Sequence, residues 1–259
     1  MNRITQLFQK QPHQNLNVYF TAGFPQLDDT RRILHALQTA GADLVEIGMP
    51  YSDPVADGET IQKSNQRALE NGMTLRKLFD QLEGMRTEIH VPVLLMGYIN
   101  PVLQFGVENF CRQCAHVGID GLILPDMPLD EYIEEYKPIF ERYGLLNIFL
   151  ITPQTSEKRI RQIDAMSEGF IYMVSSASVT GAQTGITSEM EAYFARINAM
   201  NLRNPRLIGF GIKDYDTFQK ACQHASGAII GSAFIRVLEQ SNDLMHNIKN
   251  YIEGVKRKS

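Results

Sequence analysis

Short apolar runs alternate with longer amphipathic stretches along the whole chain. The runs cover residues 17–23 (NVYFTAG), 43–48 (DLVEIG), 91–98 (VPVLLMGY), 120–126 (DGLILPD), 146–152 (LNIFLIT), 170–176 (FIYMVSS), 206–211 (RLIGFG) and 227–232 (GAIIGS). Brief, nearly continuous apolar segments of this kind read as strands buried on both faces. The stretches between them carry helical spacing. Residues 28–40 place Ile33, Leu34 and Leu37 on one face, and residues 130–143 do the same with Tyr132, Ile133, Tyr136 and Ile139. Pro138 predicts a kink in the second of these. Ser156 and Ser188 read as N-caps, and Ser188 with Glu191 has capping-box spacing.

Eight buried strands, each followed by a helix, predict a (β/α)8 TIM barrel filling residues 1–259 as a single domain. A doubly wound open sheet is the alternative, but it needs fewer strands and a cofactor fingerprint. Extra helices are expected at residues 2–9, closing the barrel bottom, at 72–86, between the second and third units, and at 242–256.

Composition narrows the class. The 259 residues are 44% hydrophobic and 21% charged, which excludes wholesale disorder. Acidic residues outnumber basic ones by 29 to 25, for a net charge of −4, whereas a nucleic-acid footprint has the opposite sign. A small anionic substrate stays compatible, because backbone dipoles bind anions without net positive charge. Three cysteines, of which only Cys111 and Cys114 are close in sequence, make neither a disulfide framework nor a zinc pattern. They read as helix thiols in a reducing compartment. No run of 18 apolar residues occurs, so the expectation is a cytoplasmic protein without a membrane span.

In such a barrel, chemistry sits where strands end and βα loops begin. Glu46 stands between apolar neighbours inside the second strand. It reads either as half of a structural ion pair or as a carboxyl whose pKa burial raises for proton transfer. The loop after it, MPYSDPVADG at 49–58, is shaped by two prolines. Its Asp57 is either the cap of the next helix or a group at the barrel mouth. Gly209-Phe210-Gly211 and Gly231-Ser232 follow strands seven and eight, where barrels often build a phosphate site. Residues 176–187, with two glycines among small polar residues, read as a cover. The aromatic residues Phe20, Tyr98, Tyr172 and Phe210 near strand ends suit a flat apolar pocket. No histidine falls at a strand C-terminus and no lysine lies inside a strand, which leaves carboxylates for proton transfer.

The segments VYFTAGFP, DLVEIGMPYSDPVADG, LLMGYINP, IYMVSSASVTGA and GFGI resemble, in this order and spacing, the tryptophan synthase α subunit family, with the match running from about residue 3 to residue 252. The resemblance implies a barrel lyase that cleaves indole-3-glycerol phosphate to indole and glyceraldehyde 3-phosphate. It implies no cofactor in this chain and a pyridoxal-phosphate β subunit as partner, in an α2β2 heterotetramer. It implies catalytic roles for Glu46 and Asp57, and an indole pocket walled by Phe20, Met96, Tyr98, Tyr172 and Phe210. Phosphate contacts are implied at Gly181, Gly211, Gly231 and Ser232, and a contact of Thr180 with Asp57. Tyr51, Asp53, Asn100 and Pro101 fall where the family meets its β subunit. The match departs at Ser176, where some members carry arginine, and over 182–188.

Overall fold

The computed structural model describes residues 1–54, 57–174, 188–209, 211–240 and 243–257. Its strands are β1 (Asn15–Thr21), β2 (Leu44–Gly48), β3 (Val93–Met96), β4 (Gly121–Ile123), β5 in two pieces (Leu146–Asn147 and Phe149–Ile151), β6 (Ile171–Val174), β7 (Arg206–Gly209) and β8 (Gly227–Ile230). All pairings are parallel and follow chain order, with β1 against both β2 and β8. The first piece of β5 pairs with β4 and the second with β6. Ile148 joins them, and its N–H donates to the Leu122 carbonyl at 2.9 Å, so the barrel closes through one interrupted strand.

Two apolar layers hold this ring. Inside it, Leu44, Leu94, Ile123, Ile148, Phe170, Leu207 and Ile229 come one each from β2 to β8 or their edges. The N-terminal helix Arg3–Lys10 drives Ile4 and Phe8 into the same cluster, so it plugs the bottom as its amphipathic pattern predicts. β1 supplies Asn15 and Asn17 in place of an apolar member, and both are fully buried. Outside, Leu16, Val18 and Phe20 pack into the layer shared with Ile33, Leu34 and Leu37.

Several expected boundaries move. The helix foreseen over 72–86 is Leu75–Leu82 followed by a 3-10 turn at Met85–Thr87, because Gly84 takes a left-handed φ of 66° and breaks the run. The 242–256 helix begins at Leu244. Ser156 does cap its helix, accepting from the Arg159 N–H at 3.3 Å. Ser188 is instead the first residue of the helix Ser188–Ala199, so the cap position falls outside the described residues. Ahead of Pro138 the helix widens into a π turn over Tyr132–Tyr136, which accommodates the missing N–H.

Cys111 and Cys114 are buried on the helix Val107–Val117, and burial pushes the Cys111 thiol up to about 12. Both are packing residues and poor nucleophiles. Among the described residues no helix is long and apolar enough to cross a membrane.

Candidate active site

A cavity of about 170 Å³ opens at the C-terminal end of the barrel. Every strand contributes to its wall, within the strand or in the loop or helix start that follows it. The contributors are Tyr19 (β1), Met49 and Asp57 (β2), Met96 and Tyr98 (β3), Pro125 (β4), Leu150 (β5), Tyr172 and Val174 (β6), Gly209 (β7) and Ser232 (β8). Ile61 and Asn65 of the helix Glu59–Glu70 complete it. A larger hollow of about 750 Å³ lies at the opposite end, beside Arg3 and Asp120, where the charges pair with one another. The bottom of such a barrel carries stability rather than chemistry.

Two tyrosines owe their placement to glycines. A Cβ at Gly48 would overlap the Tyr19 hydroxyl, and one at Gly209 would overlap the Tyr172 hydroxyl. The missing side chains let each ring lie across the neighbouring strand. The Tyr19 hydroxyl lies 3.4 Å from Thr21 Oγ1, which is 2.7 Å from Ser64 Oγ. Burial raises both phenols, and the charges of Glu46 and Asp57 raise them further, so both rings stand within electrostatic reach of both carboxyls.

Glu46 is fully buried, two residues before Gly48 on the same face of β2. Its Oε1 accepts from the Asn17 side-chain amide, and its Oε2 has no partner among the described residues. The ion-pair reading therefore fails. Desolvation pushes the carboxyl up to about 8, against the smaller opposing pull of Asn17. It is mostly protonated at neutral pH and is not itself one of the residues that line the cavity.

Asp57 is no helix cap. The N-cap of the helix Glu59–Glu70 is Gly58, without a side-chain bond. Asp57 faces the cavity, where its Oδ2 accepts from the Tyr98 hydroxyl at 3.5 Å. Burial raises it to about 6, and the Tyr98 bond pulls the other way. It is thus mostly ionised at neutral pH while Glu46 is not, so the two carboxyls differ in acidity.

The structure brings Asp57, Met96, Tyr98, Tyr172 and Ser232 together in the wall. Gly231 lies beside it, 3.8 Å from Tyr19 Cβ as measured from the position its own Cβ would take. Gly211, with a left-handed φ of 76°, is exposed and outside the wall. Thr180, Gly181, Phe210 and the 176–187 cover lie outside the described residues. Phe20 is a correction: it packs outward into the helix layer, and Tyr19 is the β1 aromatic that faces the cavity. One residue of register inverts the face of a strand residue, and both aromatics stand in one apolar run. Asn65 was also missed. Its only sequence signal is a polar residue on the inner face of a helix, at Ile61, Ser64, Asn65 and Ala68.

Of the four residues Tyr51, Asp53, Asn100 and Pro101, the structure brings Tyr51 and Asn100 into contact, while the Asp53 carboxylate accepts from its neighbour Ser52 at 2.7 Å. The Tyr51 ring packs 5.2 Å from Tyr98, and the Asn100 amide donates to the Tyr51 hydroxyl at 3.3 Å. Asp126 accepts from the Ile99 N–H at 2.9 Å and so fixes the start of the helix Ile99–Phe105, which carries Asn100 and Pro101.

A family model described as tryptophan synthase alpha chain matches residues 6–258. The tryptophan synthase alpha chain of Flavobacterium johnsoniae is 58% identical over 241 residues, covering 93% of this chain and 95% of that one. That of Christiangramia forsetii is 54% identical over 256 residues, covering 99% of each. Among solved structures, the tryptophan synthase alpha chain of Legionella pneumophila superposes with a TM-score of 0.88 at 30% identity, covering 99% of this chain and 96% of that chain. Tryptophan synthase of Mycobacterium tuberculosis in its aminoacrylate-bound form superposes with a TM-score of 0.86 at 27% identity, covering 99% of this chain and 98% of that chain. An eight-stranded barrel with two carboxyls of divergent acidity under an aromatic-walled mouth, matched over nearly its whole length, belongs to the tryptophan synthase alpha chain family.

Proposed function

We propose that Glu46 and Asp57 carry the carbon–carbon cleavage by which this member of the tryptophan synthase alpha chain family releases indole from indole-3-glycerol phosphate. The observation that carries the reading is their divergence within reach of the same two tyrosines, Tyr19 and Tyr172: a fully buried carboxyl near 8 and a cavity-facing one near 6. Indole is a poor carbanion, so its C3 must gain a proton before the bond to the glycerol chain breaks. Protonated Glu46 supplies that proton, and positive charge spreads to the ring nitrogen. Asp57, ionised, accepts the ring N–H and stabilises this cation. The Glu46 carboxylate then takes the proton of the hydroxyl on the adjoining side-chain carbon. The electrons of the carbon–carbon bond return to the ring as the aldehyde forms. Indole and glyceraldehyde 3-phosphate leave, and Glu46 is again protonated.

The step requires Glu46 to turn from Asn17 toward the cavity, a side-chain rotation that leaves the strand unchanged. Met96, Tyr98, Tyr172 and Tyr19 seat the ring, with Phe210 as a further wall residue. Gly211, Gly231 and Ser232, with Gly181, bind the phosphate through backbone N–H groups, and Thr180 meets Asp57. No cofactor takes part in this chain.

A tryptophan synthase alpha chain has a β-subunit partner. Tyr51 and Asn100 bond each other beside Tyr98, and we place the β contact there, with Asp53 and Pro101, in an α2β2 assembly whose β subunit holds pyridoxal phosphate. The assembly belongs to the cytoplasm. The experiment is indole release by the isolated chain from indole-3-glycerol phosphate, with the aldehyde followed in parallel. Equimolar indole and aldehyde support the reading, and absence of both, with and without a β subunit, overturns it.

A further inference from the structure

The helix Glu59–Glu70 turns Ile61, Ser64, Asn65 and Ala68 toward the barrel. Ala68 packs in the apolar layer, and Ser64 bonds both Thr21 Oγ1 at 2.7 Å and the Ile61 carbonyl at 2.8 Å. Asn65 has no such account. It is 3% exposed and part of the cavity wall, yet its Oδ1 meets no hydrogen-bond partner among the described residues. A buried carboxamide oxygen left unpaired opposes folding, and a leucine of similar size fills the same space without that cost. The carboxamide turns about a soft terminal torsion, so it can present its oxygen to a bound molecule with no backbone change.

The rest of the wall leaves one donor unmatched, on the reading of the preceding subsection. There the ring N–H goes to Asp57, the phosphate to the ends of β7 and β8, and the hydroxyl at the breaking bond to Glu46. Asp57 and Tyr19 already bond Tyr98 and Thr21. The second glycerol hydroxyl has no acceptor assigned, and among the described wall residues Asn65 is the one whose buried side-chain acceptor is left unpaired. We propose that Asn65 is a substrate-contacting residue that accepts a hydrogen bond from this second hydroxyl and so selects a hydroxylated side chain over a saturated one.

The test compares wild type, Asn65→Leu and Asn65→Asp. Each is measured for kcat/KM on indole-3-glycerol phosphate and for inhibition by indole-3-propanol phosphate, which lacks both hydroxyls. A melting curve accompanies each. Asn65→Leu is expected to lose about tenfold in kcat/KM, the size of one hydrogen bond, while inhibition by the propanol compound stays within about twofold. Asn65→Asp, which keeps an acceptor, is expected to retain the preference. If Asn65→Leu fails to fold, Asn65→Ala makes the same comparison. Equal losses on both ligands mean a collapsed cavity and overturn the proposal, as does unchanged kcat/KM. A wild-type chain that releases no indole overturns the lyase reading itself and is told apart by that result.

Discussion

The Tyr19 ring occupies the space that a side chain at Gly48 would fill: a Cβ there would stand 2.6 Å from Tyr19 Cζ and closer still to the hydroxyl. The two residues lie on adjacent strands, and Glu46 is two residues before Gly48. The cavity therefore depends on a glycine that does not itself line it. Gly48→Ala is expected to push the ring into the cavity and to destabilise the fold by about 1–3 kcal/mol. The double variant with Tyr19→Val should recover most of the melting temperature. If the two changes simply add, the contact is not the cause.

Tyr98→Phe removes the donor that stabilises ionised Asp57. The Asp57 pKa then rises above its present value of about 6, so the acid limb of the kcat/KM profile moves to higher pH. Loss of a bond worth about 1 kcal/mol is expected to cost roughly fivefold at neutral pH. An unmoved acid limb would separate Tyr98 from Asp57.

Glu46→Gln is expected to trade activity for stability. The folded protein holds the Glu46 proton up to about pH 8, while an unfolded chain releases it near 4.5. Between those values the folded state binds the extra proton, so stability falls as pH rises through the window. A glutamine is neutral throughout and still accepts from Asn17. Its melting temperature should exceed that of wild type at pH 8 and approach it near pH 5. Single-turnover indole release should fall roughly 10²–10⁴-fold. Near-wild-type release, or the reverse order of melting temperatures at pH 8, would contradict the roles given to Glu46.

Asp120→Ala separates stability from chemistry at the other end of the barrel. Asp120 is 3% exposed and accepts from Arg3 at 3.0 Å, Arg86 at 2.5 Å and the Val93 N–H at 2.8 Å. Removing it strands the partly buried Arg86, at a cost of about 3–5 kcal/mol. Melting should drop on the order of 10 °C, with kcat unchanged at temperatures where the variant stays folded. A large fall in kcat at full folding would tie the bottom of the barrel to catalysis.

The order of strands and helices was readable in the chain because eight buried apolar runs, separated by 3.6-residue patterns, leave few topologies that bury both faces of each strand. Glu46 was readable for the same reason: a carboxyl inside an apolar run has either a partner or a function. Which of these held was decided only when the structure put Asn17, and no cation among the described residues, beside it. Asp57 likewise stood two residues before a helix start, and only the fold showed the side chain turned to Tyr98 rather than to the helix. Tyr19 and Phe20 could not be told apart in sequence, since inward and outward positions alternate along a strand and both sides of β1 are buried. The break at Ile148 and the approach of Asn65 to the cavity were also beyond the sequence, because both depend on how strands and helices from distant parts of the chain meet around the closed barrel.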